Sequence, residues 1–142
     1  MRFIYPARFQ PDSTGEIIVS FRDLPECLTS GSNKTEAQAA AADALEEAIA
    51  GRIDDDEDIP MPSPRYVGEH LIAVPADMAA KAALVLAFRK SGLSRVALAR
   101  RFGVDDKVIR RMLDPRHGTA TTRIYKALRV LGRELVVESR AT

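Results

Sequence analysis

Apolar and polar positions alternate at the start of the chain and then change period. Phe3, Tyr5, Ala7 and Phe9 share one side of an extended segment, with Arg2 and Arg8 on the other. A period of two is what a half-buried strand requires. Pro6 has no N–H to give a ladder and predicts an edge position for this strand. Pro11-Asp12-Ser13-Thr14-Gly15 is turn chemistry. Glu16 to Phe21 follows as a second strand with Ile17, Val19 and Phe21 in phase, and the short loop predicts a hairpin. After Leu24-Pro25-Glu26, Leu28-Thr29-Ser30 reads as a third strand.

The period then becomes helical. Thr35 and Gln38 have the spacing of a capping box. Ala37, Ala41, Leu45, Ala48 and Ile49 form the apolar stripe, and Gly51 is the expected stop. The acidic run Asp54 to Asp58 leads into Ile59-Pro60-Met61-Pro62-Ser63-Pro64, whose prolines predict an extended connector that leaves the domains free to move. Leu71-Ile72-Ala73-Val74 is a fourth strand, ending at Pro75. The order β-β-β-α-β predicts a small α+β domain over residues 1–75.

Residues 76–142 read as helices. Pro75-Ala76-Asp77 suits a helix start. Met78, Ala82, Leu84, Val85, Leu86 and Phe88 spread around the next helix, so it should be buried on two sides, one of them a place for a second subunit. Ser91-Gly92 ends it, and Ser94 can cap the following helix. Leu98 and Phe102 share a face there, and Ala99 is small where another helix can cross. Gly103 supplies a left-handed turn residue, and Ile109 and Met112 form the inner face of the helix after it. Two helices joined by a short glycine-containing turn predict a helix-turn-helix. A third helix around Ile124, Leu128 and Leu131 would close the core. Glu134-Leu135-Val136-Val137-Glu138 reads as a terminal strand, which needs a partner and would find it in another copy of the chain.

Charge changes the picture. The 142 residues carry 21 Lys and Arg against 20 Asp and Glu, a net of +1. That total hides a division. Residues 1–75 hold 6 basic and 14 acidic residues, a net of −8, and residues 76–142 hold 15 and 6, a net of +9. Two halves of opposite sign imply two kinds of partner. Lys107, Arg110 and Arg111 project from the second helix of the motif, Arg100 and Arg101 come from the first, and Arg116, His117 and Arg123 follow. Such a face can neutralise phosphates and read guanine edges. A helical hairpin with ordinary surface arginines is the alternative. Asp105 and Asp106 repel phosphate and suit a helix cap, although Asp106 could also accept from cytosine N4.

Other chemistry is sparse. One cysteine, Cys27, cannot form an internal disulfide, and it has no base partner in sequence. His70 and His117 lie far apart and give no metal-ligand spacing. Asp54 to Asp58 lacks the spacing of a calcium loop and reads as a solvated loop or a contact for a basic partner. No cofactor is predicted. The apolar run Ala82 to Phe88 falls far short of the ~20 residues of a membrane helix, and the first residues lack a signal peptide's apolar core. The expectation is a cytoplasmic chain with no membrane partner.

The stretch Gly15-Glu16-Ile17-Ile18-Val19-Ser20-Phe21-Arg22-Asp23-Leu24-Pro25-Glu26 resembles the start of HicB antitoxins, as do Ala37 to Leu45 and the link Ile59 to Pro64. Leu98-Ala99-Arg100-Arg101-Phe102-Gly103 with Leu113-Asp114-Pro115-Arg116-His117 is similar to the form of that family with a Cro-like helix-turn-helix. The resemblance covers nearly the whole chain. It implies a partial RNase H-like N-terminal domain without nuclease activity. That domain would bind and block HicA, a small basic toxin that cleaves mRNA. It also implies a C-terminal domain that binds operator DNA, represses its own operon and assembles into a homodimer or homotetramer. Asp105 and Asp106 depart from the small polar, amide or basic residues often found at those places. The expected protein is a non-enzymatic antitoxin and repressor. The competing reading is a one-component regulator with a small-molecule-sensing N-terminal domain, and an active RNase H-like nuclease is a third. The candidate DNA contacts are Arg100, Asp106, Lys107, Arg110, Arg111, Arg116 and Arg123. The candidate toxin contacts are Asp54, Asp55, Asp56, Glu57, Asp58 and Ile59.

Overall fold

A computed structural model describes residues 1–142. The chain forms two compact units, Met1–Ala79 and Ala80–Thr142. In the first, β1 (Ile4–Pro11), β2 (Ile17–Ser20), β3 (Leu28–Gly31) and β4 (His70–Ala73) make one antiparallel sheet in the order β3-β2-β1-β4. The helix α1 (Lys34–Asp54) packs on it against β2, β3 and β4. The chain order is therefore the expected β-β-β-α-β, and the whole is α+β. Alternation does the sorting: Phe3, Tyr5, Ala7, Val19 and Phe21 are buried, with Ala37, Ala41, Leu45 and Ile49 from α1. The hairpin turn is tied by Asp12, whose carboxylate accepts from the Thr14 and Glu16 amides at 2.8 and 3.1 Å.

Five expectations are corrected. Pro6 does not mark an edge strand, because β1 is central. Its first half pairs with β4, from Ile4↔Ala73 to Ala7↔His70, and its second half pairs with β2, from Arg8↔Ser20 to Pro11↔Ile17. The Val74 amide donates to the Phe3 carbonyl at 2.9 Å, so the alternation of an antiparallel ladder turns the Pro6 nitrogen away from β4. On that other side the β2 ladder has already ended, so no donor is missed.

The cap of α1 is Asn33, not Thr35. The Asn33 side chain accepts from the Glu36 amide at 2.9 Å, and the Glu36 carboxylate accepts from the Ser32 amide at 3.2 Å. Gly51 lies inside the helix. Ala50 and Ile53 extend the buried stripe beyond it, and the helix stops where Asp56 adopts a left-handed φ of 54°.

The proline-rich connector is no free tether; it is fastened to its own unit. Ile59 is buried. The Tyr5 hydroxyl donates to the Pro60 carbonyl at 2.7 Å. Asp23 accepts from the Ser63 amide at 2.8 Å and from its hydroxyl at 2.5 Å. Arg22 donates to the Pro64 carbonyl and to both Glu69 oxygens at 2.9 and 3.0 Å, and its guanidinium lies 3.9 Å from the Tyr66 ring centre. Burial pushes the Tyr5 phenol up to about 12.

The expected terminal strand is also not formed. Residues 133–142 have neither helix nor strand, and Val136 and Val137 are exposed. A strand exists only in a ladder, and the rest of the chain offers this segment no partner.

The second unit contains most of α2 (Ala76–Ser91), then α3 (Arg95–Phe102), α4 (Asp106–Leu113) and α5 (Thr121–Val130). Its core joins Ala80 and Leu84 to Leu98, Ala99, Ile109, Met112, Ile124, Ala127 and Leu128. Ser94 caps α3 by accepting from the Ala97 amide at 3.0 Å. Gly103 turns the chain with a φ of 80°. No helix is long and apolar enough to cross a membrane.

Candidate functional site

The basic candidates gather on the second unit. Ile109 and Met112 anchor α4 in the core, which leaves Lys107, Arg110 and Arg111 exposed. Positions i, i+3 and i+4 share one face of a helix, so the three cations form a single patch. Arg100 is exposed on α3, Arg116 in the loop after α4, and Arg123 in the first turn of α5. Asp105 is the cap of α4. Its carboxylate accepts from the Lys107 amide at 2.9 Å, and that bond holds it below the usual carboxylate range. Asp106 is exposed in the first turn, at the positive end of the helix dipole.

Beneath this surface lies a residue that the sequence pattern did not single out. Lys81 on α2 is buried, 4% exposed, the one charged side chain in either core. Its ammonium donates to the His117 carbonyl at 2.8 Å, the Thr119 hydroxyl at 2.7 Å and, more weakly, the Arg111 carbonyl at 3.4 Å. Burial pushes it below its ordinary value and Asp114 pulls it back up. The available sequence signal was one lysine within the apolar run from Met78 to Phe88.

The acidic candidates divide. Asp54 ends α1, Asp55 is its C-cap, and Asp56, Glu57 and Asp58 are exposed. Ile59 instead enters the core, so it anchors the loop and does not extend the acidic surface. An open cleft of about 550 Å³ adds what sequence distance hid: Glu26 and Glu47 join Asp55 and Glu57 around Cys27 and Ala48. Arg52 crosses the cleft and donates to both Glu26 oxygens at 2.5 and 2.9 Å, and to the Asp58 carbonyl at 2.8 Å. That pairing holds the Glu26 carboxyl below its ordinary range. The Cys27 thiol is pushed up to about 11, first by burial and then by Glu26, which leaves it poorly nucleophilic. His70 packs edge-on against Phe9 in the sheet, and no three His, Cys, Asp or Glu side chains are grouped to hold a metal.

Residues 4–83, the sheet unit and the start of α2, match the family described as the HicB_like antitoxin of bacterial toxin-antitoxin systems. The "Antitoxin HicB" of Escherichia coli strain K12 is 40% identical over 131 residues, which is 92% of this chain and 95% of that protein. "Antitoxin HicB 1" of Photorhabdus laumondii is 37% identical over 133 residues, covering 94% of this chain and 84% of the relative.

The chain belongs to the HicB-like antitoxin family.

A third relative, the "Antitoxin HicB" of Pseudomonas fluorescens strain Pf0-1, is 30% identical over 92% of this chain and 90% of its own length. The likeness to HicB antitoxins thus extends through most of both units, including the α3–α4 region that the family match over residues 4–83 does not reach. An antitoxin of a toxin-antitoxin pair implies a toxin as partner.

Proposed function

We propose that this protein neutralises a HicA-type mRNA-cleaving toxin through its acidic sheet unit and represses its own operon through its basic helical unit. Segregated charge carries the reading. Counted by unit, Met1–Ala79 holds 6 basic and 15 acidic residues, a net of −9; Ala80–Thr142 holds 15 and 5, a net of +10. An acidic surface speeds encounter with an RNA-binding toxin and discourages wrong partners. A basic one suits phosphate. The elements α3 and α4 act as a helix-turn-helix. Lys107, Arg110 and Arg111 enter the major groove, while Arg100, Arg116 and Arg123 contact backbone. Asp106 either repels a phosphate or reads a cytosine. A twofold dimer would set two such helices about 34–36 Å apart on one face of DNA. No catalytic residue is assigned.

The test uses a duplex from the region upstream of the protein's own gene and the product of the neighbouring small open reading frame. Arg111→Ala should weaken operator binding by about 1–3 kcal/mol if the arginine reads a base. It should leave co-purification with the toxin intact. Unchanged operator affinity at fixed salt would remove Arg111 from base readout. Failure of the wild-type protein to bind either the duplex or the neighbouring product would remove that half of the proposal.

A further inference from the structure

The buried ammonium of Lys81 has three donors and no acceptor, and three oxygens receive it. A buried charge is costly unless its hydrogen bonds are all made, so an apolar residue would fit this helix at less expense. Two of its acceptors, the His117 carbonyl and the Thr119 hydroxyl, lie in the loop between α4 and α5. The third, the Arg111 carbonyl, is in the last turn of α4, the negative end of that helix. The same loop is fixed from within by Asp114. Its carboxylate accepts from the Arg116 amide at 2.8 Å, and its carbonyl accepts from the His117 amide at 3.2 Å. The Arg116 backbone is thus held by Asp114 on one side and, one residue later, by Lys81.

We propose that Lys81 is a positioning residue for DNA binding: from the core it fixes the loop that presents Arg116 to the phosphate backbone. The inference rests on the DNA-binding half of the proposed function. It assigns a role to a side chain that cannot itself touch DNA.

The experiment is a double-mutant cycle on the full-length protein, with the upstream duplex titrated at several salt concentrations. Lys81→Met keeps the apolar stem and removes the ammonium. Expected is a cooperative thermal melt, with operator affinity about tenfold weaker. The slope of log affinity against log salt should fall by about 0.9, the signature of one lost phosphate contact. In an Arg116→Ala background, Lys81→Met should cost little further, because its effect has already been removed. Thr119→Val withdraws one acceptor and keeps the side-chain shape. It should give a smaller loss in the same direction, and it serves as the test if Lys81→Met melts without cooperativity. An unchanged salt slope, or an equal loss in both backgrounds, would overturn the role. If the wild-type protein does not shift the duplex, the DNA-binding reading itself fails, an outcome distinct from a Lys81 variant that binds like wild type.

Discussion

Gly31 shows how much one residue can decide at the smallest scale. It closes β3 just before α1 begins, and a Cβ there would meet backbone of the first turn of that helix, 2.4 Å from the Ala37 nitrogen and 2.7 Å from its Cα. Backbone atoms cannot rotate aside as the end of a long side chain can. Gly31→Ala should therefore lower stability by about 1–3 kcal/mol, the range of overpacked sites. A fall in the urea midpoint with an unchanged slope would show it. A midpoint equal to wild type would mean that the helix start shifts freely. Nothing in the sequence distinguishes this glycine from Gly15 or Gly103, because the constraint is approach between elements and not torsion. Gly103 was legible for the opposite reason: its φ of 80° answers a local demand of the turn. The exposed cations of α4 were legible too, since the helical period that buries Ile109 and Met112 fixes where Lys107, Arg110 and Arg111 must point. Lys81 was hidden, because its partners, two main-chain carbonyls and the Thr119 hydroxyl, lie 30 to 38 residues away and no side-chain pattern announces them.

Between elements, the Arg52–Glu26 pair joins the last turn of α1 to the loop before β3. The Glu26 carboxyl lies below its ordinary range chiefly because Arg52 donates to it. Its folded value is thus lower than its unfolded one. The pair contributes its full stability above the unfolded carboxylate value, and that contribution is lost as pH falls through the folded value. The Glu26 side chain is 44% exposed, so screening keeps the effect small, on the order of 0.5 kcal/mol. Glu26→Gln should be slightly less stable than wild type at neutral pH, and the gap should close in acid. Melting curves at both conditions measure it, and a gap that does not depend on pH would deny the pair this role. Element types were legible throughout, because hydrophobic period depends only on neighbours in sequence. What was not legible came from long-range pairing. Pro6 looked like an edge residue until the split of β1 between β4 and β2 left its nitrogen opposite no acceptor. The proline-rich link looked free until Tyr5, Arg22 and Asp23 were seen to hold it, all from at least forty positions away.

For the whole molecule, the division of charge makes a claim that cutting the chain can decide. The unit Met1–Ala79 has its own sheet, its own helix and a strap stapled to that sheet by hydrogen bonds within the unit. Its surface is net acidic, whereas each basic residue of the candidate DNA patch lies beyond Ala79. Toxin neutralisation and operator binding should then come apart in a fragment. Expressed alone, residues 1–79 should restore growth to cells making the neighbouring toxin, yet leave a reporter behind the native promoter unrepressed. The full chain should do both. Because the fragment carries no counter-charge from the second unit, its association with a basic toxin should weaken steeply as salt rises, as surface ion contacts do. Cells that die despite a soluble, cooperatively melting fragment would place part of the toxin site in the helical unit. Repression by the fragment would place DNA contacts on an acidic surface, and the charge argument would then have its sign wrong.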